Sequence, residues 1–352
     1  MLTGRWTPFL VAAFAFGQEA ASFPPERVEP WKPSWEMTLR GDQLTDPGDP
    51  SEDFRRASIE LRLRWGLDLA GWRLEAGFRS AMGSDSNRDN AARWDQQPSN
   101  GTQVDVARAT TTWVVPAAFG KLSLGFQDNG LVVSQALWDR DLRFLGAGGG
   151  AALRSVDGPV QEAGLRAQAG RVRNILGGGV DLVAGQLLLK LDTGPFSWTA
   201  HVDRWDLSWD AGTERLRALP YQPGAVRQRM VLQVVGAAGT WHSAFPLEAH
   251  WFTARNLDSR ETSEELQLLA GSRERIYWPQ VAFTWQRLSS TGTLYPVNGD
   301  EWWYYRKARG PRLDVSLPLP GDWIAMVVVL RQRFDGASYD VTRTMLVLTK
   351  RF

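Results

Sequence analysis

The stretch IELRLRWGLDLAGWRLEAGF, residues 59–78, decides the fold. From Ile59 to Leu69 every second residue is apolar, and the residues between them are polar, charged or glycine. Because the side chains of a strand point alternately to its two faces, this period of two predicts a long β-strand with one apolar and one charged face.

After Ala70 and Gly71 the alternation resumes one step shifted, beginning with Trp72. A two-residue hairpin turn places the residues that flank it, Leu69 and Trp72, on the same face. The apolar face therefore continues across the turn. Each strand reaches the roughly 9–11 residues that a tilted strand needs to cross a bilayer. Strands of soluble proteins average about 5–6 residues, so we interpret the hairpin as transmembrane, with lipid outside and water inside.

The composition narrows the class of protein. The chain has 352 residues, with 40 Lys and Arg against 39 Asp and Glu, which gives a net charge of +1. This balance gives no support to a nucleic-acid partner. The chain has no cysteine, which fits an oxidising compartment such as the bacterial envelope.

The N-terminus resembles a secretory signal. A positive residue precedes a short apolar core, and Ala15 and Gly17 supply small residues at the cleavage positions. We therefore expect a signal peptide at 1–17, an extended lead-in at 18–34 and a barrel at 35–352.

Beyond the N-terminus, no segment has the roughly 20 continuous apolar residues of a membrane helix. A membrane protein without such a helix must be a closed barrel, because lipid offers no partner to exposed backbone groups. Short turns with Gly and Pro alternate with long polar loops, such as the charged loop expected at 256–274, which is the plan of an outer-membrane barrel. The predicted fold class is all-β: a membrane-spanning antiparallel up-and-down barrel. Fourteen strands are clear, and a pair inside 289–310 would make the 16 that we expect.

Aromatic residues mark one rim and the C-terminus. Trp72, Trp198 and Trp323 lie near predicted short turns, where an aromatic girdle is expected at a membrane interface. The chain ends at Phe352, with Leu348 in phase behind it. This end resembles the signal read by the outer-membrane assembly machinery, which we therefore expect as a partner.

Residues 53–155 hold five stretches in a distinctive order: ELRLRWGL (60–67), WRLEAGFRSAMG (72–83), VDVARATTTW (104–113), GKLSLGFQDN (120–129) and LWDRDLRFLGAGGGAAL (137–153). Their order and spacing resemble the bacterial outer-membrane porin family. The resemblance implies a barrel of the sixteen-stranded type that lies in the bacterial outer membrane and passes small solutes. None of these motifs is a catalytic signature, so no active-site role is carried over.

The leading functional prediction is a porin that acts as a passive diffusion channel for small hydrophilic solutes. A long loop at 128–147 is expected either to fold into the lumen, where its charges would screen solutes, or to remain a solvated external loop. The predicted constriction residues are Trp138, Asp139, Arg140, Asp141 and Arg143. The residues expected from parity to line the pore are Glu60, Arg62, Arg64, Arg73, Arg79, Arg108 and Arg166.

Two other functions stay open. The first is a substrate-specific outer-membrane channel for saccharides or anions, which an aromatic residue on the lumen side, such as Trp278, would favour. The second is a secreted or barrel-embedded carbohydrate-active β protein, which would need a catalytic cluster that the sequence does not display. We expect no enzyme. The expected partners also include outer-membrane lipid and small hydrophilic solutes, with a homo-oligomer as an open alternative.

The sequence offers one weak candidate for a metal site. Asp85, Asn87 and Asp89 have the spacing that opens a calcium loop, but Asn90 and Gln96 stand where an EF-hand has Gly and Glu. A polar loop is the simpler interpretation. The three histidines are scattered and show no metal-binding spacing, so no cofactor is expected.

The assignment of the apolar face of the opening hairpin to lipid and of the charged face to water can be tested with two neighbouring substitutions. Leu61→Arg should impair membrane insertion at a cost of roughly 2–4 kcal/mol near the midplane, because it puts a guanidinium group into lipid. Arg62→Leu should insert normally and change only permeation. An assay of folding into membranes that finds the two changes equally tolerated would contradict the assignment of faces.

Overall fold

In the computed structural model of the chain, sixteen antiparallel strands form one closed barrel. The structure describes residues 33–45, 47–48, 54–83, 101–139, 142–155, 158–175, 178–210, 227–272, 276–289, 291–293, 308–334 and 337–352. Within these ranges no helix is long and apolar enough to cross a membrane. The strands are β1 (Ser34–Thr45), β2 (Phe54–Leu69), β3 (Trp72–Gly83), β4 (Gly101–Val115), β5 (Ala118–Asp128), β6 (Arg143–Leu153), β7 (Val160–Ile175), β8 (Gly178–Asp192), β9 (Phe196–Asp210), β10 (Arg227–Trp241), β11 (Leu247–Asn256), β12 (Thr262–Ala270), β13 (Gln280–Leu288), β14 (Ala308–Leu319), β15 (Trp323–Phe334) and β16 (Val341–Arg351).

The first and last strands close the barrel. Ten residue pairs join β1 to β16, from Glu36 opposite Arg351 to Thr45 opposite Thr342. Every other strand pairs with its neighbours in sequence, so the sheet has no free edge. The up-and-down antiparallel barrel is therefore confirmed, with 16 strands rather than the alternative of 14.

The opening hairpin has the predicted register, with Leu69 opposite Trp72. The two residues of its turn, Ala70 and Gly71, have φ angles of 50° and 83°. Positive φ at both positions is the geometry of a type I′ turn, whose twist matches that of the strands it joins. This turn fixes the register, and with it the face on which each side chain of the hairpin lies.

The exterior of the barrel is apolar. Large hydrophobic side chains are exposed at alternate positions on nearly every strand. A soluble protein rarely exposes so large a continuous apolar surface, so this belt is the lipid-facing side. Its members include Leu39, Ile59, Leu61, Leu63, Leu74, Phe78, Leu122, Leu124, Leu165, Leu187, Leu189, Trp251, Leu266, Leu268, Phe283, Leu313, Val327, Val329 and Leu346.

The two rims differ. We call the rim with the connections that follow the even-numbered strands the short-turn rim, and the opposite rim the long-loop rim. Of the tryptophans expected in an aromatic girdle, Trp198 is exposed beside a turn of the short-turn rim, while Trp72 and Trp323 begin their strands at that rim and are partly buried. Trp113 and Trp241 are also exposed beside turns of this rim. The long-loop rim also has short connections, because only residues 176–177 separate β7 from β8 and residues 257–261 separate β11 from β12.

One strand lies where the sequence predicted a loop. The strand pair expected inside 289–310 is wrong, since β13 and β14 pair directly and Leu288 lies opposite Ala308. The strand that was missed is β12, within the expected charged loop at 256–274. Two adjacent glutamates and two adjacent leucines in SEELQLL hide its alternation, although Leu266 and Leu268 are exposed to lipid.

Several boundaries also differ from those predicted. Strand β6 begins at Arg143, inside the loop expected at 128–147, because the glycine run that follows Arg143 shows no alternation of apolar and polar residues. Ser34, expected at the end of the lead-in at 18–34, is the first residue of β1. The expected signal peptide at 1–17 and the lead-in up to residue 32 lie outside the described residues.

The C-terminal residue completes the closure of the barrel. The ring of Phe352 stacks on that of Trp35, with centroids 4.7 Å apart and planes at 27°. The backbone N–H of Phe352 also donates a hydrogen bond of 3.0 Å to the carbonyl of Trp35. The terminal aromatic residue therefore joins the first strand to the last.

We predict that Phe352→Leu lowers the free energy of unfolding and that its effect is coupled to Trp35→Leu by about 0.5–1.5 kcal/mol, the usual value of an aromatic pair beyond its buried area. Urea unfolding of detergent-folded protein, analysed as a double-mutant cycle, measures this coupling. Trp113→Leu, at another exposed tryptophan of the same rim, is the control and should be additive with Phe352→Leu. Additivity of the Trp35 and Phe352 changes would show that the stacked pair contributes nothing to closure.

Candidate functional site

Ion pairs connect charged side chains on the inside of β2, β3 and β4 with residues at the adjoining ends of β5 and β6. Alternate residues of β2 and β3 point outward to lipid, so the residues between them point into the barrel. We call the connected set the charged wall. It consists of Glu60, Arg62, Arg64, Arg73, Glu75, Arg79, Asp105, Arg108, Asp128 and Arg143.

The carboxylates of β2 and β3 each bridge two arginines. Glu60 pairs with Arg62 and, at 2.6 Å, with Nη2 of Arg79. Glu75 pairs with Arg108 and, at 3.5 Å, with Nε of Arg73. Each carboxylate thereby compensates two guanidinium groups that are largely removed from solvent.

Two further carboxylates meet at Arg143. Asp105 accepts from Nη2 of Arg64 at 2.6 Å and from Nη2 of Arg143 at 3.2 Å. Asp128 lies 2.6 Å from Nε of Arg143 and 3.5 Å from Nη1 of Arg108. The charged wall thus contains six guanidinium groups and four carboxylates, and the half-exposed carboxylate of Asp68, 4.0 Å from Arg73 at the end of β2, reduces the excess of positive charge from two to one (6 − 5).

A β-bulge turns Asp105 into the barrel. The register between β3 and β4 shifts at Gly77 and Phe78, so that Val106 lies opposite Gly77 and Val104 opposite Phe78. The residue left over is Asp105, which is only 4% exposed. Strict alternation with Arg108 would have pointed this carboxylate at lipid, and a bulge is the usual way for a strand to re-aim one side chain.

The described part of the loop that joins β5 to β6, residues 129–139 and 142, lies against the inside of the barrel, and we call it the inner loop. Leu131, Leu137 and Trp138 belong to the same buried apolar cluster as side chains of β8, β9 and β10, among them Leu182. The ring of Trp138 lies 5.8 Å from that of Trp205. The inner loop therefore covers apolar residues that would otherwise face water inside the barrel.

Hydrogen bonds fix the backbone of the inner loop to the wall. The N–H of Gly130 donates to Oε1 of Gln168 at 3.1 Å. The amide of Gln186 bonds both backbone groups of Val132, accepting at 3.0 Å and donating at 2.7 Å. These contacts place the loop beside β7 and β8, on a different arc of the barrel from the charged wall.

A third anchor of the inner loop lies on β12. The hydroxyl of Ser134 donates to Oε1 of Glu265 at 2.8 Å. The side-chain amide of Gln286, on the neighbouring strand β13, donates to the other oxygen of the same carboxylate. The loop is therefore held at points on three strands, β7, β8 and β12.

Six of the seven residues predicted to line the pore belong to the charged wall, and the seventh has different contacts. Arg166 is 4% exposed, pairs with Glu162 at 2.6 Å and donates to the carbonyl of Gly130 at 3.3 Å. Its guanidinium group therefore supports the inner loop.

The residues predicted to form a constriction are also divided between the inner loop and the charged wall. Trp138 is buried among apolar residues, whereas Arg143 is the first residue of β6 and joins the charged wall. The carbonyl of Asp139 accepts from the N–H of Leu142 at 3.1 Å. Arg140 and Asp141 lie outside the described residues.

Sequence reasoning missed the carboxylates that organise these arginines and the side chains that anchor the loop. Glu75 occupies a polar position in the alternation of its strand and could be recognised as inward, whereas Asp105 and Asp128 occupy positions that alternation assigns to the apolar face. An acidic residue out of phase in an otherwise regular strand, as Asp105 is, is the signal that could have revealed the bulge. The anchors Gln186 and Glu265 carry no comparable signal, because a polar residue at an inward position of a strand does not by itself indicate a contact with a loop.

The remaining predicted sites do not contribute to this region. Asp85, Asn87 and Asp89 lie outside the described residues. Within the described part of the chain no group of three or more His, Cys, Asp or Glu could hold a metal ion. Trp278, considered as a lumen aromatic, is exposed beside Phe245 at the short-turn rim, with ring centroids 6.4 Å apart.

We predict that Asp105→Asn destabilises the barrel by about 3 kcal/mol, because it leaves the buried guanidinium groups of Arg64 and Arg143 less compensated. The matched control is Asp68→Asn, whose side chain is 55% exposed and lies 4.0 Å from Arg73. The control should cost at most about 1 kcal/mol. Urea unfolding in detergent compares the two, and equal costs would contradict a structural role for the Asp105 carboxylate.

Two solved structures share this architecture at low sequence identity. The high-pH structure of Pseudomonas putida OprB aligns with a TM-score of 0.61 and 9% identity, over 92% of this chain and 94% of that one. The Salmonella typhi OmpF complex with daunomycin aligns with a TM-score of 0.52 and 13% identity, over 92% of this chain and 97% of that one. No protein-family model and no curated protein matches the sequence. The chain therefore has the fold of bacterial outer-membrane porins.

Proposed function

We propose that the protein is a passive diffusion channel for small hydrophilic solutes in the bacterial outer membrane, and not an enzyme. The observation that carries this proposal is the pairing of an apolar exterior with the charged wall inside. Guanidinium groups at the centre of a bilayer are costly unless they face water, so the inside of the barrel is hydrated. A barrel of this strand number is wide enough to enclose an aqueous channel.

The orientation follows from the connections. Outer-membrane barrels place short turns in the periplasm and long loops outside, so the short-turn rim faces the periplasm. Solutes from outside then meet the inner loop and the charged wall on their way through. We propose that these two surfaces together narrow the lumen and screen solutes by size and charge.

The charge balance of the charged wall favours anions. Its six guanidinium groups outnumber its four carboxylates, and Arg64, at 38% side-chain exposure, keeps part of its charge accessible to solutes. Rings of arginine and lysine are the usual means of anion selection in pores. This excess also supports the narrower alternative, a channel for anionic substrates.

Two further parts of the proposal rest on the sequence alone. Recognition of the C-terminal strand by the outer-membrane assembly machinery stays a prediction, and a homo-oligomer stays an open alternative.

The channel can be tested with a double substitution of inward arginines. We predict that the purified protein forms ion-conducting channels in planar bilayers and that Arg62→Gln with Arg64→Gln moves the reversal potential toward cation preference, because it removes positive charge from the lumen. Measurements in a KCl gradient at low ionic strength keep the screening small. Arg55→Gln is the matched control, since Arg55 is an exposed arginine of the same strand on its outward parity.

Three results would contradict the proposal. Folded, reconstituted protein without conductance at any voltage would indicate a plugged or purely structural barrel. An unchanged reversal potential in the double variant would place the charged wall outside the conduction path. An equal shift in Arg55→Gln would show that the effect does not come from the lumen.

A further inference from the structure

The lipid-facing side of the barrel has a groove where β7, β8, β9 and β10 run side by side. It encloses about 360 Å³, and Gly185 lies in its lining. Its apolar lining residues are Leu165, Leu187, Val202 and Leu257, whose side chains are all exposed. The groove is therefore an indentation in the apolar belt, open toward the membrane.

The absence of a side chain at Gly185 creates this indentation. Gly185 shares the outward parity of Val183 and Leu187. A Cβ atom added to it would meet only one atom within 4 Å, the backbone oxygen of Arg166 at 4.0 Å. The space above Gly185 is thus open, and a larger side chain could fill it without a clash at its Cβ atom.

Polar residues line the groove on one side. In the register of the sheet, Gly185 lies opposite Arg204, Arg204 opposite Gln233, and Gln233 opposite Arg255. These four residues form one row across the outside of β8 to β11, and the last three are exposed. Neighbouring strands are about 4.8 Å apart, so the backbones at the two arginines lie about 10 Å apart with the amide of Gln233 between them.

The two arginines of this row differ from others on the exterior. Arg229 pairs with Asp206, Arg171 with Asp181 and Arg287 with Glu264. In contrast, neither Arg204 nor Arg255 forms an ion pair with another residue in the part of the chain that the structure describes.

Arginines on a lipid-facing surface need an anionic partner or water. The outward side chains of β9 change at this row from apolar, with Trp198 and Val202, to charged, with Asp206 next, so the row lies at the edge of the apolar belt on the long-loop side, where the headgroups of that leaflet begin. A guanidinium group matches the geometry of a phosphate and binds it through charge-assisted hydrogen bonds. The combination of two such groups with an adjoining apolar groove matches a molecule that carries both a phosphate and an acyl chain.

We propose that this groove binds an anionic, phosphate-bearing lipid from the leaflet at the long-loop rim. Its phosphate lies between Arg204 and Arg255 and accepts from the amide of Gln233, and one acyl chain fills the groove over Gly185. This lipid site lies on the outside of the barrel and is distinct from the proposed conduction path.

The test uses the full chain purified in a mild detergent and incubated with equal amounts of phosphatidylglycerol and phosphatidylcholine that carry identical acyl chains. Native mass spectrometry counts the lipids that remain bound. The protein should retain phosphatidylglycerol with about a tenfold preference, because both lipids carry the phosphate but the two arginines repel the choline ammonium group of phosphatidylcholine. The double variant Arg204→Gln with Arg255→Gln should lose this preference.

Gly185→Leu tests the acyl-chain part of the site. It should reduce the retention of both lipids, because the leucine side chain occupies the groove, while the barrel remains folded and conducts as before. Arg55→Gln is the matched control: Arg55 is also an exposed outward arginine, and it lies opposite Gln43 just as Arg204 lies opposite Gln233. It should bind lipid as the unmodified protein does.

Three outcomes would overturn the proposal. The first is an undiminished preference for phosphatidylglycerol in the double arginine variant. The second is undiminished lipid retention in Gly185→Leu. The third is a loss in Arg55→Gln as large as that in the double variant, which would show that any exterior arginine binds the lipid.

Discussion

The structure depends on one constraint: a backbone N–H or carbonyl group that faces hydrocarbon has no partner other than another backbone group. A chain whose strands cross a membrane can satisfy all of these groups only by closing the sheet, and here the ten pairs between β1 and β16 do so. Closure in turn fixes the two faces, because each strand then presents one set of alternate side chains to lipid and the other to the interior. The stacking of Phe352 on Trp35 lies at the seam where this closure is made.

Once the faces are fixed, the interior has to accommodate many charged groups in little space. The barrel does this by placing each carboxylate of the charged wall between two arginines, so that Glu60, Glu75, Asp105 and Asp128 each compensate two cations. On β8 to β10 the inward side chains are apolar instead of charged. They would face water if Trp138 and neighbouring residues of the inner loop did not cover them. A charged arc and an apolar, loop-covered arc are thus two parts of one interior surface.

Much of this could be predicted from alternation alone. Period-two patterning identified the opening hairpin, its register, and five arginines and one glutamate of the charged wall, because the alternation of faces is a local property of the chain. Strand β12 was missed where adjacent like residues hide the alternation, and β6 began earlier than predicted because glycines carry no pattern. The inward position of Asp105 depends on the β3–β4 register shift, and the anchoring of the inner loop by Gln186 and Glu265 depends on strands far away in sequence. Neither a register shift nor a contact between distant strands leaves a local signature.

If water fills the inside of the barrel and lipid surrounds it, the two faces of each strand differ in their access to water, and the absence of cysteine from the chain allows a direct measurement of this difference. Single substitutions to cysteine along β2 can be probed in reconstituted protein with a small, membrane-impermeant maleimide. We expect rapid labelling of Arg62→Cys and Arg64→Cys and protection of Leu61→Cys and Leu63→Cys, with the alternation retained along the strand. Equal labelling at all four positions, or labelling confined to the leucine positions, would contradict this expectation.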